Sequence, residues 1–244
     1  MINLLKLNFR FIFNRTTIIV CLIFICSLTF GLIYSTGIFD GYYKMDMYRT
    51  DYQLSYLNDS VMIIKIVLTM MAIFLTGLAN GEASNNLAKY VIDKPFKKYA
   101  FIIARVFSLI LIMVTLLLLF WLTQVAIVKI LTPFAVDINV IKTVFIGLLL
   151  QIFFYILFTS LLLTILPSLL TSLLPILVFW YMEVNNTLYI IENSNFNRAL
   201  YQNIPNILFY DNCYNLLFPI KNYIISLTII FLLNIFIYVK KDIS

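Results

Sequence analysis

Six runs of apolar residues, each bounded by polar stretches, set the rhythm of this chain: Thr17 to Phe39, Val61 to Ala79, Val106 to Val128, Ile141 to Leu166, Ser168 to Ile190 and Tyr223 to Val239. At about 1.5 Å per helical residue most of them can cross a hydrocarbon core of about 30 Å, the last with little to spare. Ahead of them, Met1 to Arg15 interleaves Leu4, Leu5, Leu7, Phe9, Phe11, Ile12 and Phe13 with Lys6, Arg10 and Arg15. That mixture predicts an amphipathic helix lying on the inner membrane surface. The run that follows is too long for the apolar region of a signal peptide and has no A-x-A cleavage site, so it is expected to stay as a first span. The connections differ in character. Asp40 to Asp59 is rich in Tyr and Asp, Asn80 to Tyr99 is rich in Lys, Lys129 to Asn139 is short and holds Pro133, and Glu192 to Asn222 is long, with Pro205 and Pro219. Only Pro167, Ser168, Thr171, Ser172 and Pro175 interrupt the apolarity between the fourth and fifth runs.

The expected fold is therefore all-α: a polytopic membrane protein with six transmembrane helices, an N-terminal amphipathic interfacial helix and a short helix in the Lys-rich connection. Six Gly and six Pro among 244 residues are too few for a flexible linker, and no repeat recurs at a fixed period, so residues 1–244 read as one domain. Composition agrees. Hydrophobic residues make up 63% and charged residues 11%, against roughly 25% charged in a soluble domain, and no soluble fold hides that much apolar surface.

The net charge of +6 matters through its placement. With the N-terminus inside, the inner set holds Lys6, Arg10, Arg15, Lys89, Lys94, Lys97, Lys98, Arg105, Lys240 and Lys241, ten of the 17 basic residues, beside only Glu82, Asp93 and Asp242. The outer set holds the other seven, with eight acids. Lys and Arg favour the cytoplasmic side of short loops, so both termini are expected in the cytoplasm of a multi-pass protein of the plasma membrane. Bilayer lipid, not nucleic acid, is the partner this charge pattern suits.

Chemistry is sparse. Histidine is absent, which removes the commonest general base and metal ligand, and no paired-carboxylate motif lies within the apolar runs. No catalytic or metal-binding residue is expected, and an enzyme is disfavoured. Cys21, Cys26 and Cys213 have neither metal-site nor disulfide spacing and read as small apolar residues. In the first run Ser27, Gly31 and Ser35 recur every four residues, which suits close approach of another helix, from a second copy or from the same chain. Lys65 sits four residues into its run and is expected to snorkel to the outer surface. Gln124, Gln151, Asn234 and Glu183 are placed to line a cavity or bridge helices, Glu183 being the best placed to meet a cationic substrate. Tyr210 and Tyr214, in the last outer segment, read either as an interfacial aromatic belt or as an outer gate.

The Asn80 to Arg105 connection is the most informative. After Gly81, Ala83, Leu87, Tyr90 and Val91 share one helical face, Asn85, Asn86, Lys89 and Asp93 lie elsewhere, and Pro95 ends the pattern. One reading is a connector lying on lipid; another is a helix that docks on a cytoplasmic partner. With the N-terminal surface helix and six spans, the series Glu82, Leu87, Val91, Lys94, Pro95, Lys97, Lys98 and Arg105 resembles the type-2 ABC transporter permeases. The resemblance implies that Glu82, Leu87, Tyr90, Val91, Lys94 and Pro95 belong to the coupling helix that contacts a cytoplasmic ABC ATPase subunit. Asn85 and Asn86 stand where many members have a Gly-Thr pair.

No G-x-x-x-x-G-K-[ST] loop occurs, so this chain is expected to bind no cofactor, with ATP and Mg held by the partner ATPase. A second permease copy or a homologue completes the expected assembly. In resembling permeases the first and fifth spans form much of the dimer interface. The resemblance further implies export of hydrophobic or amphipathic peptides, for toxin or bacteriocin export or self-immunity. The alternatives are a drug, lipid or polysaccharide exporter of the same architecture, and a membrane sensor or assembly protein that transports nothing.

Overall fold

The computed structural model describes residues 2–12, 14–35, 49–80, 98–131, 138–166, 171, 173–188 and 217–240. Among these the regular structure is seven helices: α1 (Ile2–Ile12), α2 (Arg15–Ser35), α3 (Arg49–Ala79), α4 (Lys98–Leu131), α5 (Ile138–Ile165), α6 (Leu173–Leu188) and α7 (Leu217–Lys240). Two stretches, Lys98–Ile127 in α4 and Phe145–Ile165 in α5, are long and apolar enough to cross a membrane. Thr17–Gly31, Ile63–Ala79 and Ile224–Lys240 are shorter apolar helical stretches.

Local chemistry sets the helix limits. Asn14 caps α2: its Oδ1 accepts from the Thr17 amide at 2.8 Å and from the Thr17 hydroxyl at 2.9 Å, satisfying a first-turn N–H that has no helical partner. Pro175 and Pro219 are each the third residue of their helix, where a missing N–H costs nothing. Helix α5 stops at Ile165, two residues before Pro167. Helices α3 and α4 begin earlier than their apolar runs, at Arg49 and Lys98. No Gly or Pro lies between Gly41 and Gly77, or between Pro95 and Pro133, so nothing halts the helix where the hydropathy falls. Helix α7 likewise starts before Tyr223, whereas α6 starts after Ser168.

Helices α3, α4, α5 and α7 pack together, with α1 laid across one end against α4 and α3, and α2 and α6 held more loosely outside. On α3 the buried residues Val61, Ile64, Leu68, Ala72, Leu75 and Ala79 follow helical spacing. They meet Leu109, Ile112, Met113, Leu116, Leu117, Phe120 and Trp121 of α4 and Leu148, Ile152 and Ile156 of α5. A second cluster joins Phe154 and Tyr155 of α5 to Phe179 of α6 and Leu227 of α7. There the Tyr155 and Phe179 rings meet edge to face with centroids 5.5 Å apart.

Much of the outer surface of the described residues is apolar. Phe74 and Leu78 of α3, Leu118, Leu119 and Leu122 of α4, and Ile229, Leu232, Leu233 and Phe236 of α7 are all exposed. So many exposed large apolar side chains suit lipid better than water. The outward hydroxyls fit this: Thr115, Thr123 and Thr228 each donate to the carbonyl four residues back, at 2.9, 2.6 and 2.8 Å, and so need no solvent partner.

Helix α1 and Lys65 depart from expectation. Helix α1 does not rest on lipid alone; Leu4, Asn8 and Ile12 are buried against the protein, while Lys6, Leu7, Phe9 and Arg10 face outward. The buried Asn8 is accommodated because its side-chain amide donates to the Leu4 carbonyl at 2.9 Å. Lys65 does not snorkel. Because α3 starts at Arg49, it lies well inside the helix and is 2% exposed, beside Ile64 and Leu68 of the main core.

Candidate functional site

At the α1 end of the bundle four chain segments converge on one buried cation. Arg105, on the second turn of α4, is 1% exposed. Its Nη1 donates to Oδ1 of Asn80, the residue that follows α3, at 2.9 Å. Asn80 is itself fixed: its backbone amide and its side-chain Nδ2 both donate to the Thr76 carbonyl, at 3.0 and 2.8 Å, so that its Oδ1 points outward as a rigid acceptor. The guanidinium also stands 4.6 Å from the centroid of the Phe101 ring, one turn earlier on α4. Around this group Phe101, Ile102 and Ala104 of α4 pack with Leu4 of α1 and Tyr238 of α7. Ser108 Oγ donates to the Ala104 carbonyl at 2.7 Å and reaches the Leu5 carbonyl of α1 at 3.4 Å.

In sequence, residues 81–97, the Lys-rich connection, join Asn80 to Lys98. The Arg105–Asn80 hydrogen bond ties the end of α3 to the start of α4, and α1 and α7 pack at the same point. An arginine suits the place, since its planar fork holds direction where the point charge of a lysine does not.

Further polar contacts tie the helices together elsewhere. Asn234 of α7 donates to Ser160 Oγ at 2.8 Å, and its Oδ1 lies 3.0 Å from Thr164 Oγ1, both on α5. Gln124 of α4 donates to Thr29 Oγ1 of α2 at 3.0 Å, and Gln151 of α5 reaches Thr69 Oγ1 of α3 at 3.3 Å. These three polar residues thus bridge helices. Asn234→Ala is expected to lower unfolding stability in detergent by about 1 kcal/mol, the scale of interhelical hydrogen bonds in membranes. Thr228→Val, whose hydroxyl serves only its own helix, is expected to change it by less than about 0.5 kcal/mol. Equal effects would mean that the Asn234 bridge carries no packing energy.

The other expected site residues are distributed as follows. Glu82, Leu87, Tyr90, Val91, Lys94 and Pro95 lie outside the described residues, as do Tyr210 and Tyr214. Ser27 and Gly31 of α2 are exposed, and a methyl group added at Gly31 would meet nothing within 4 Å. Ser35 and Glu183 lie in α2 and α6, with side chains outside the described set. Cys21 is buried and Cys26 exposed, both as free thiols.

Asn80 is the residue that sequence reasoning passed over. Its signal was present: an Asn directly after an apolar run, at the mouth of a basic connection. No family model matches the chain, and neither a curated protein nor a solved structure matches it.

Proposed function

We propose that the chain is the membrane permease subunit of an ATP-driven ABC exporter, with six spans and both termini in the cytoplasm, working as a dimer beside two ATPase subunits. The observation that carries this reading is the buried Arg105–Asn80 hydrogen bond at the base of residues 81–97. A buried cation with a directional bond gives the connection a rigid root, which a segment that transmits force can use. The layout that resembles type-2 permeases, the apolar exterior and the absence of a nucleotide-binding loop in the sequence support it.

In this scheme ATP binding closes the ATPases, and the Glu82 to Pro95 segment passes the motion to α3 and α4. The cargo is a hydrophobic or amphipathic peptide, exported as a toxin or bacteriocin or removed for self-immunity. The test is ATP hydrolysis by the purified complex in lipid nanodiscs against a panel of amphipathic peptides, drugs, lipids and polysaccharide. Stimulation by peptides alone supports the peptide reading; stimulation by another class replaces the cargo; none from any class contradicts an exporter.

For the dimer, the exposed face of α2 that holds Ser27 and Gly31 is the proposed seam with a second chain, and Gly31 has open space before it. Oxidation of native membranes is expected to cross-link copies, or a copy and a homologue, through Cys26 or through cysteines placed at Ser27 and Gly31. A disulfide demands Cα atoms within about 7 Å. Failure at all three positions would remove α2 from the interface.

A further inference from the structure

We infer that Arg105 is a positioning residue that makes α1, the end of α3 and the start of α4 move as one body, so that a push on residues 81–97 turns both helices together. The inference deepens the exporter reading and, for its coupling role, rests on it. Three observations carry it. First, the bond joins residues 25 positions apart, one at each root of the connection, and both partners are buried, Arg105 at 1% and Asn80 at 7% exposure, so water does not compete for it. Second, neither partner is free to swing: Asn80 is held twice by the Thr76 carbonyl, and the guanidinium lies over Phe101. Third, α1 joins the same point, through the burial of Leu4 with Phe101 and Tyr238 and through Ser108 at the Leu5 carbonyl. Without the bond, the α3 and α4 roots lose a directional, charge-assisted contact that resists sliding.

The pair to compare is Asn80→Leu, which keeps size and removes the acceptor, and Asn80→Asp, which keeps an acceptor oxygen facing Arg105. In the complex of the full chain with its ATPase, hydrogen exchange of residues 76–80, 98–108 and 2–12 is measured with and without ATP plus vanadate, beside basal ATP hydrolysis. Asn80→Leu is expected to keep hydrolysis within about twofold while the nucleotide-driven change in those three segments shrinks by about tenfold, the upper range for a residue in a coupling network. Asn80→Asp is expected to retain most of that change. Arg105→Lys, which keeps the cation and loses the fork, is expected to resemble Asn80→Leu and carries the test if Asn80→Leu does not accumulate in the membrane.

A nucleotide-driven change in Asn80→Leu equal to wild type, or Asn80→Asp no better than Asn80→Leu, overturns the inference. If the wild-type chain has no ATPase partner, the exporter reading fails by itself, and the junction is judged on the chain alone. There Asn80→Leu must raise exchange in all three segments together; a rise confined to the end of α3 refutes the one-body junction.

Discussion

Trp121→Ala is expected to lower the stability of the purified protein by about 3 kcal/mol, measured by thermal or denaturant unfolding in mild detergent. That is the low end of the cost of Trp-to-Ala changes in soluble cores. The reasoning starts from burial: Trp121 is 1% exposed, among Phe120, Leu117 and the facing residues of α3 and α5. In lipid, truncation loses little transfer energy, because the surroundings are apolar in both states; what remains is the dispersion energy forfeited around the void. The control sits one residue on. Leu122 is 56% exposed on the same helix, and Leu122→Ala is expected to change stability by less than about 0.5 kcal/mol. Equal losses for the two would mean that α4 does not turn Trp121 inward.

The second large effect is on assembly. On the proposed reading, Leu87 and Tyr90 share the apolar ridge that docks on the ATPase, and a carboxylate there must be buried without a partner. Leu87→Asp or Tyr90→Asp is expected to weaken binding of the ATPase by at least about 30-fold, as loss of a central anchor costs about 2 kcal/mol or more. The chain should still insert and melt normally, since the apolar runs of α3 and α4 are unchanged. A sensor or assembly protein without an ATPase would be indifferent to both changes, so retained activity in Leu87→Asp would favour that alternative.

How far the sequence could be read depends on which force set each feature. Apolar runs place helices well, because lipid and core both demand apolar side chains and backbone bonds satisfied within the segment. They place ends poorly. Hydropathy marks where the lipid core begins, whereas a helix continues until a Gly, a Pro or a cap stops it, which is why α3 reaches back to Arg49 and α4 to Lys98. Lys65 is buried rather than snorkelling for the same reason: it stands four residues into its apolar run but well inside α3.

Arg105 was legible as one of ten basic residues expected on the inner side and as the end of the series that resembles the type-2 permeases, not as a buried residue. Its burial depends on Asn80, on the far side of the connection, and no periodicity within either helix announces a pairing between them. Asn8 hid in the same way. A polar residue in the buried stripe of Leu4, Asn8 and Ile12 looks like part of the wet face until its bond to the Leu4 carbonyl is known. Gln124, Gln151 and Asn234 were recognisable as helix-bridging residues because amides are costly in an apolar run unless bonded, although their partners, Thr29, Thr69, Ser160 and Thr164, were not.

The most direct test of the central proposal is to purify the tagged full-length chain from its own membranes in mild detergent and identify what comes with it. The exporter reading predicts a stoichiometric ABC ATPase that hydrolyses ATP and is lost from Leu87→Asp. A chain that purifies alone under several gentle conditions, with no ATP hydrolysis, would contradict it.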